Sequence, residues 1–384
     1  MRNIVGQAAK GDDFWKREDE LEDIWSEIEA RAHVLLVAPR RVGKTSIMMH
    51  MLDNPKEGYS VLYVSTESAE TQDEFWQKLF DAFQDAKFIG GLTQTSSKLK
   101  QVIGSIKSIG RDGIEFDSKK MDFAKAFAEI IKSVDDEKPV IMIDEFAQTI
   151  ENIIKKEGEE SAIALLHTVR ELRQNPYIND KFSFVYAGSI GLESIVSKLD
   201  VPKTINDVVS IKITPLRETE AKAFSQAILQ TLDITLPDDI LAHMIKRIEW
   251  RIPFYIQMII KEIKLVIREH GKKNISITLV DKAFDNAIKN RVYFEHWEKK
   301  LENAFIKAEV PFAKAVLSHA AKHQEVEYRE IHNLMNKFNL NEQQLKDIIT
   351  TLVYDGYIHN NDNHKIYRFN SPILKMWWLQ NVAQ

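Results

Sequence analysis

The sequence predicts an α/β fold: a parallel sheet in the first part of the chain, followed by helices and a small mixed ending. Three observations carry that expectation. Apolar runs at 33–37, 60–64, 140–143, 182–187 and 208–213 alternate with stretches of helical character, the pattern of parallel strands joined by helices. The first run passes through a loop bearing Gly43 and Lys44 directly into a helical stretch. From 216 to 295 the chain reads as helices alone.

The loop is the most informative segment. Residues 38–45 read Ala-Pro-Arg-Arg-Val-Gly-Lys-Thr, one residue away from the phosphate-binding pattern G-x-x-x-x-G-K-[ST]. His33-Val-Leu-Leu-Val37 before it is the strand. Ser46-Ile-Met-Met-His-Met-Leu52 after it is the helix, with Asp53-Asn54-Pro55 as its stop. A helix N-terminus directs unpaired N–H groups and partial positive charge at one point. Gly43 lets the backbone approach a phosphate, Lys44 reaches the β- and γ-phosphates, and the Thr45 hydroxyl can hold Mg²⁺. Pro39, Arg40, Arg41, Val42, Gly43, Lys44, Thr45 and Ser46 are therefore the candidate nucleotide-binding residues. Ala38 stands where the pattern has glycine, and fits if its φ is negative. Arg40 and Arg41 are expected to point out of the loop, toward solvent more often than toward phosphate or a partner.

Such a loop needs a metal-holding carboxylate on a neighbouring strand. Val140-Ile-Met-Ile-Asp-Glu-Phe146 supplies one, with Asp144 at the C-terminal end of a parallel strand, where ligands bind in such sheets. Asp144 would hold the Mg²⁺ shell and Glu145 would act as general base on the attacking water. The adjacent glutamate points to the ATPase branch that inserts a strand between the loop strand and the Walker B strand. Phe182-Ser-Phe-Val-Tyr-Ala187 is the natural inserted strand. Ser189 follows it, either as a polar sensor or as part of a turn that ends the strand. Ser60–Val64 would be the second strand and Val208–Ile213 the fifth.

With these motifs in place the chain resembles a family. Gly11-Asp-Asp-Phe-Trp-Lys-Arg-Glu-Asp-Glu-Leu21, then Pro39-Arg-Arg-Val-Gly-Lys-Thr-Ser46, is similar to the archaeal-type ATPases. These lie near the STAND and AAA+ groups and are related to the origin-recognition ATPases. The resemblance implies that Arg17 and Glu18 begin a helix beside the nucleotide base, with backbone near Asp13–Trp15 contacting adenine; a solvated helix start is the alternative. It also implies a helical lid, whose Gly-x-Pro element is matched by Arg251-Ile-Pro-Phe254 at Pro253. A C-terminal winged helix is implied through Asp355-Gly-Tyr-Ile358 and Tyr367–Trp378. An AAA+ arginine finger would precede the fifth strand, yet Ser189–Val208 holds Lys198 and Lys203 and no arginine. Arg170 and Arg173 are the nearest alternatives. Arg251 could act from the lid, though a surface salt bridge is its more ordinary use.

Composition fits an intracellular, cytoplasmic enzyme. The absence of cysteine excludes disulfides, thiolate metal sites and cysteine nucleophiles. No apolar run approaches the ~20 residues of a membrane span, so no membrane partner is expected. Eleven histidines are present, but their spacing suggests no metal set. The domains expected are an ATPase core at 1–215, with a mobile insertion at 87–120, a helical lid at 216–295 and a winged helix at 296–384. Within the last, 302–323, 328–338 and 341–354 read as helices, and Asn360–Asn363 as a turn between strands. From 325 to 384, six basic residues face seven acidic ones, a poor balance for neutralising phosphates. The reading is a nucleotide switch that uses ATP and Mg²⁺ to act on a macromolecular partner, protein or DNA, with nucleotide-dependent self-assembly possible. Its alternatives are an ATP-gated DNA-binding regulator and an oligomerising STAND-type signalling or defence switch.

Overall fold

A computed structural model describes residues 1–85, 122–132, 134, 137–188, 191–270, 276–361 and 363–383. The expected insertion at 87–120 and the sensor candidate Ser189 lie outside the described residues. The chain divides into two compact units: Lys16–Ala38 with Lys44–Ile213, and Met1–Trp15 with Pro39–Gly43 and Thr214–Gln384.

The first unit is a sheet flanked by helices. Its elements are α1 (Glu18–Glu29), β1 (His33–Val37), α2 (Lys44–Asp53), β2 (Tyr59–Ser65), α3 (Gln72–Asp85) and α4 (Phe123–Lys132). Then come β3 (Lys138–Asp144), α5 (Phe146–Glu157), α6 (Glu159–Gln174), β4 (Ser183–Ala187), α7 (Leu192–Lys198) and β5 (Val208–Lys212). All strands are parallel, in the order β2-β3-β4-β1-β5. The strand expected to be inserted, β4, pairs Val185 with Val34 of β1 and with Met142 of β3. Central strands are covered on both faces, which is why β3 and β4 read as unbroken apolar runs. The edge strand β2 alternates instead, hiding Leu62 and Val64 and leaving Tyr63 half-buried. Phe75, Phe80, Phe127, Phe146, Phe184 and Tyr186 fill much of the core.

The second unit is mainly helical. It holds α8 (Glu218–Thr231), α9 (Asp238–Ile248), α10 (Pro253–His270), α11 (Ile277–Lys289), α12 (Glu295–Ala304) and α13 (Val310–His323). After β6 (Val326–Glu327) come α14 (Tyr328–Lys337), α15 (Glu342–Tyr354), β7 (Ile358–His359), β8 (Ile366–Phe369) and α16 (Pro372–Asn381). The short strands form an antiparallel sheet in the order β6-β8-β7. One expectation is corrected: 302–323 is two helices. Pro311 lacks an N–H and disfavours helical backbone before it, so it stands in the first turn of α13 and not inside a continuous helix. Trp377 and Trp378 are fully buried, Trp377 stacked on Phe294 and Trp378 donating to Ser318 at 3.1 Å.

Candidate nucleotide and metal site

In the sheet unit, parallel order brings the ends of β1 and β3 to the same edge of the sheet. Lys44 and Thr45 open α2 just beyond β1. The Thr45 hydroxyl donates to Asp144 Oδ2 at 2.8 Å. Lys44 is 7% exposed and its Nζ donates to the Ala38 carbonyl at 2.5 Å. The Glu145 N–H donates to Asp144 Oδ1 at 3.0 Å. Glu145 has φ +58 and precedes the first turn of α5, so its side chain leaves a tight corner between strand and helix.

Three residues at this site escape a reading of the motifs. Tyr63 donates to Asp144 Oδ2 at 3.0 Å from the neighbouring strand. Thr66 donates its N–H, at 3.0 Å, to the Asp144 carbonyl and also places its hydroxyl 3.2 Å away. The buried Thr149 hydroxyl lies 2.7 Å from both the carbonyl and hydroxyl oxygens of Thr66. Together they pin the strand end on which the carboxylate stands. The alternation in β2 identifies the face of Tyr63, but the pairing of β2 with β3 is topology, which local sequence does not state.

Burial pushes the Asp144 carboxyl above its ordinary range. The Thr45 bond opposes this, Glu145 adds to it, and the Tyr63 bond and Lys44 charge oppose it again. A carboxylate held against its own desolvation gains from a cation. Thr45 and Asp144 present hard oxygens 2.8 Å apart. Adjacent ligands of an octahedral ion with bonds near 2.0–2.1 Å lie about 2.9 Å apart, so the donors suit Mg²⁺ in kind and spacing. Burial and Asp144 both raise the Tyr63 hydroxyl, which stays a donor at neutral pH.

The loop residues Pro39–Gly43 belong to the second unit. Gly43 has φ +118, and a Cβ there would meet nothing within 4 Å; glycine serves backbone conformation and leaves open approach to the loop. Ala38 is not among the residues of positive φ, consistent with alanine in place of glycine. Val42 is fully buried. Arg41 departs from expectation. Its guanidinium carbon lies 3.8 Å from the centroid of the Phe254 ring, and Nη2 is 3.2 Å from His296 Nδ1. An apolar ring and an imidazole acceptor offered a better seat than water.

The remaining candidates are also placed. Arg17 stands at the N-cap position of α1 and is 6% exposed, paired with Glu20 at 2.8 Å; it is no solvated helix start. Pro253 begins α10. Arg251 makes no salt bridge among the described residues: its Nε donates to the Leu216 carbonyl at 3.0 Å and Nη1 to that of Glu249 at 3.2 Å. Arg173 is excluded as a trans-acting finger. It is buried, bonded twice to Asp207 at 2.9 Å, to Tyr186 at 3.1 Å, and to the Thr204 carbonyl. Arg170 is half-buried, and its Nε has no hydrogen-bond partner among the described residues.

A family described as an ATPase domain predominantly from Archaea matches residues 14–233, more than half of the chain. The chain belongs to this ATPase family. Two solved structures share its fold. The Walker-type ATPase PABY2304 of Pyrococcus abyssi aligns with TM-score 0.67 at 14% identity, over 98% of this chain and 99% of that one. The ORC2 protein of Aeropyrum pernix, in ADPNP–ADP complexes, aligns with TM-score 0.58 at 10% identity, over 98% and 95%. No curated protein matches the chain. The fold of this archaeal-type ATPase is thus a P-loop core of the ORC-like kind, with β4 between the loop strand and the Asp144 strand.

Proposed function

We propose that this ATPase is a Mg²⁺-dependent switch that binds and hydrolyses ATP. The observation that carries the reading is the Thr45–Asp144 contact at 2.8 Å, with Lys44 and Glu145 each next in sequence to one of the pair. In this reading the loop Pro39–Ser46 wraps the phosphates, with the backbone N–H groups of residues 40–46 as donors. Lys44 exchanges its bond to the Ala38 carbonyl for the β/γ-phosphate oxygens. Thr45 and Asp144 would hold Mg²⁺, which would supply charge neutralisation at the transferring phosphoryl group. Glu145 takes the proton of the attacking water. Ser189 contacts the γ-phosphate or the water, and Arg17 supports the backbone beside the base.

The regions proposed to respond are the lid, 216–295, with Pro253 in its Gly-x-Pro-like element, and the winged helix, 296–384. Their movement on hydrolysis would alter engagement of a macromolecular partner. A protein partner or a second copy is favoured over DNA by one observation. Arg368, a basic residue of the wing, is taken up by Glu325 at 2.7 Å, which lowers its worth as a phosphate contact.

Calorimetry with ATP and Mg²⁺ tests the site. Lys44→Ala removes the one point charge the loop aims at the phosphates, and we expect binding to fall by at least tenfold. Equal affinity in Lys44→Ala and the unsubstituted protein would refute the assignment.

A further inference from the structure

Arg41 combines an unusual backbone with an unusual seat. Its φ is +67, the left-handed region that non-glycine residues rarely adopt. Its guanidinium lies over the ring of Phe254, the second residue of α10, and reaches His296, the second residue of α12. A guanidinium only donates, so His296 Nδ1 must accept and the ring proton sits on Nε2. That nitrogen is buried and has no hydrogen-bond partner among the described residues. Burial, then the charges of Arg41, Arg40 and Lys300, push the imidazole down to about 2. The ring therefore stays a neutral acceptor at any physiological pH. Two residues earlier, Pro39 is packed as closely: a Cβ on Gly356 would lie 2.7 Å from Pro39 Cβ. Gly356 itself sits between Asp355, which pairs with the buried Lys300 at 2.6 Å, and Tyr357, which donates to the Trp297 carbonyl at 2.6 Å.

We propose that Arg41 is a positioning residue: its anchor on Phe254 and His296 holds the phosphate loop in its strained shape, so that loop readiness depends on α10 and α12. The inference rests on the reading of this loop as a nucleotide site. Without the anchor, residue 41 relaxes to negative φ, and binding must restore the left-handed turn. The cost of that turn for an L-residue corresponds to about a tenfold loss of affinity. Glycine is the diagnostic substitution, because it reaches positive φ without strain. A residue that touched phosphate through its guanidinium would not be rescued by glycine.

The test is ADP affinity by calorimetry, with thermal melts to confirm folding. Arg41→Ala and Phe254→Leu should each weaken ADP binding about tenfold. Arg41→Gly should recover most of the affinity that Arg41→Ala loses, and Phe254→Leu should add nothing to it. Arg41→Ala binding as well as the unsubstituted protein, or Arg41→Gly binding as poorly as Arg41→Ala, would overturn the proposal. Amide exchange at residues 40–43 gives a readout without nucleotide. It should quicken in Arg41→Ala and Phe254→Leu, and unchanged exchange in both sinks the anchor even if the unsubstituted protein binds no ADP. Absence of ADP binding in the unsubstituted protein would instead remove the nucleotide reading.

Discussion

Asp144 shows how a buried carboxylate is held at a strand end. Two hydroxyls converge on one of its oxygens, a backbone N–H on the other, and burial still holds its carboxyl high. His33 is a second buried group with a measurable signature. Its Nδ1 accepts the Phe184 N–H at 3.0 Å, so it must be neutral when folded. Burial, reinforced by the Arg173 charge, lowers it to about 4. Between that value and the ordinary ~6.5 the unfolded chain binds the proton and the folded chain does not. His33 therefore contributes stability that is complete above the unfolded value and lost as pH falls through the interval. The loss reaches about 3 kcal/mol at pH 4. Urea unfolding across pH 4–7 should show a shallower decline in His33→Gln, and parallel curves would contradict the assignment. The positions of Lys44 and Thr45 at the start of α2, and of Asp144 at the end of β3, were legible in the sequence. Tyr63, Thr66 and Thr149 were not, because each acts from another element. Arg41 was misread for the same reason, since its seat is built from residues more than two hundred positions away.

At the scale of elements, strands were readable wherever both faces are covered, because burial on two sides forces a continuous apolar run. That made β1, β3 and β4 plain, and the place of β4 between the other two followed from the Asp144–Glu145 pair. Helix ends were readable where a side chain closes them. Asn341 accepts the Gln344 N–H at 2.9 Å, and Gln344 returns the bond to the Asn341 N–H at 3.0 Å, a reciprocal cap. We expect Asn341→Ala to cost about 1 kcal/mol in urea unfolding, and a change near zero would show that α15 is held by packing alone. The division of 302–323 into α12 and α13 was missed although Pro311 marks it, since apolar spacing continues across the break.

At the scale of the molecule, the chain forms two compact units, with residues 39–43 grouping with the helical one and Lys44 and Thr45 with the sheet. Net charge of −5 gives no general attraction to nucleic acid, which keeps the proposed partner closer to a protein. The central claim is that this site hydrolyses ATP with Glu145 as base. Single-turnover hydrolysis of Mg-ATP by the unsubstituted protein and by Glu145→Gln tests it most directly. The amide preserves the shape and cannot take the proton, so Glu145→Gln should bind Mg-ATP unchanged and hydrolyse it roughly 10²–10⁴-fold more slowly. Equal rates of hydrolysis in the two proteins would contradict the account.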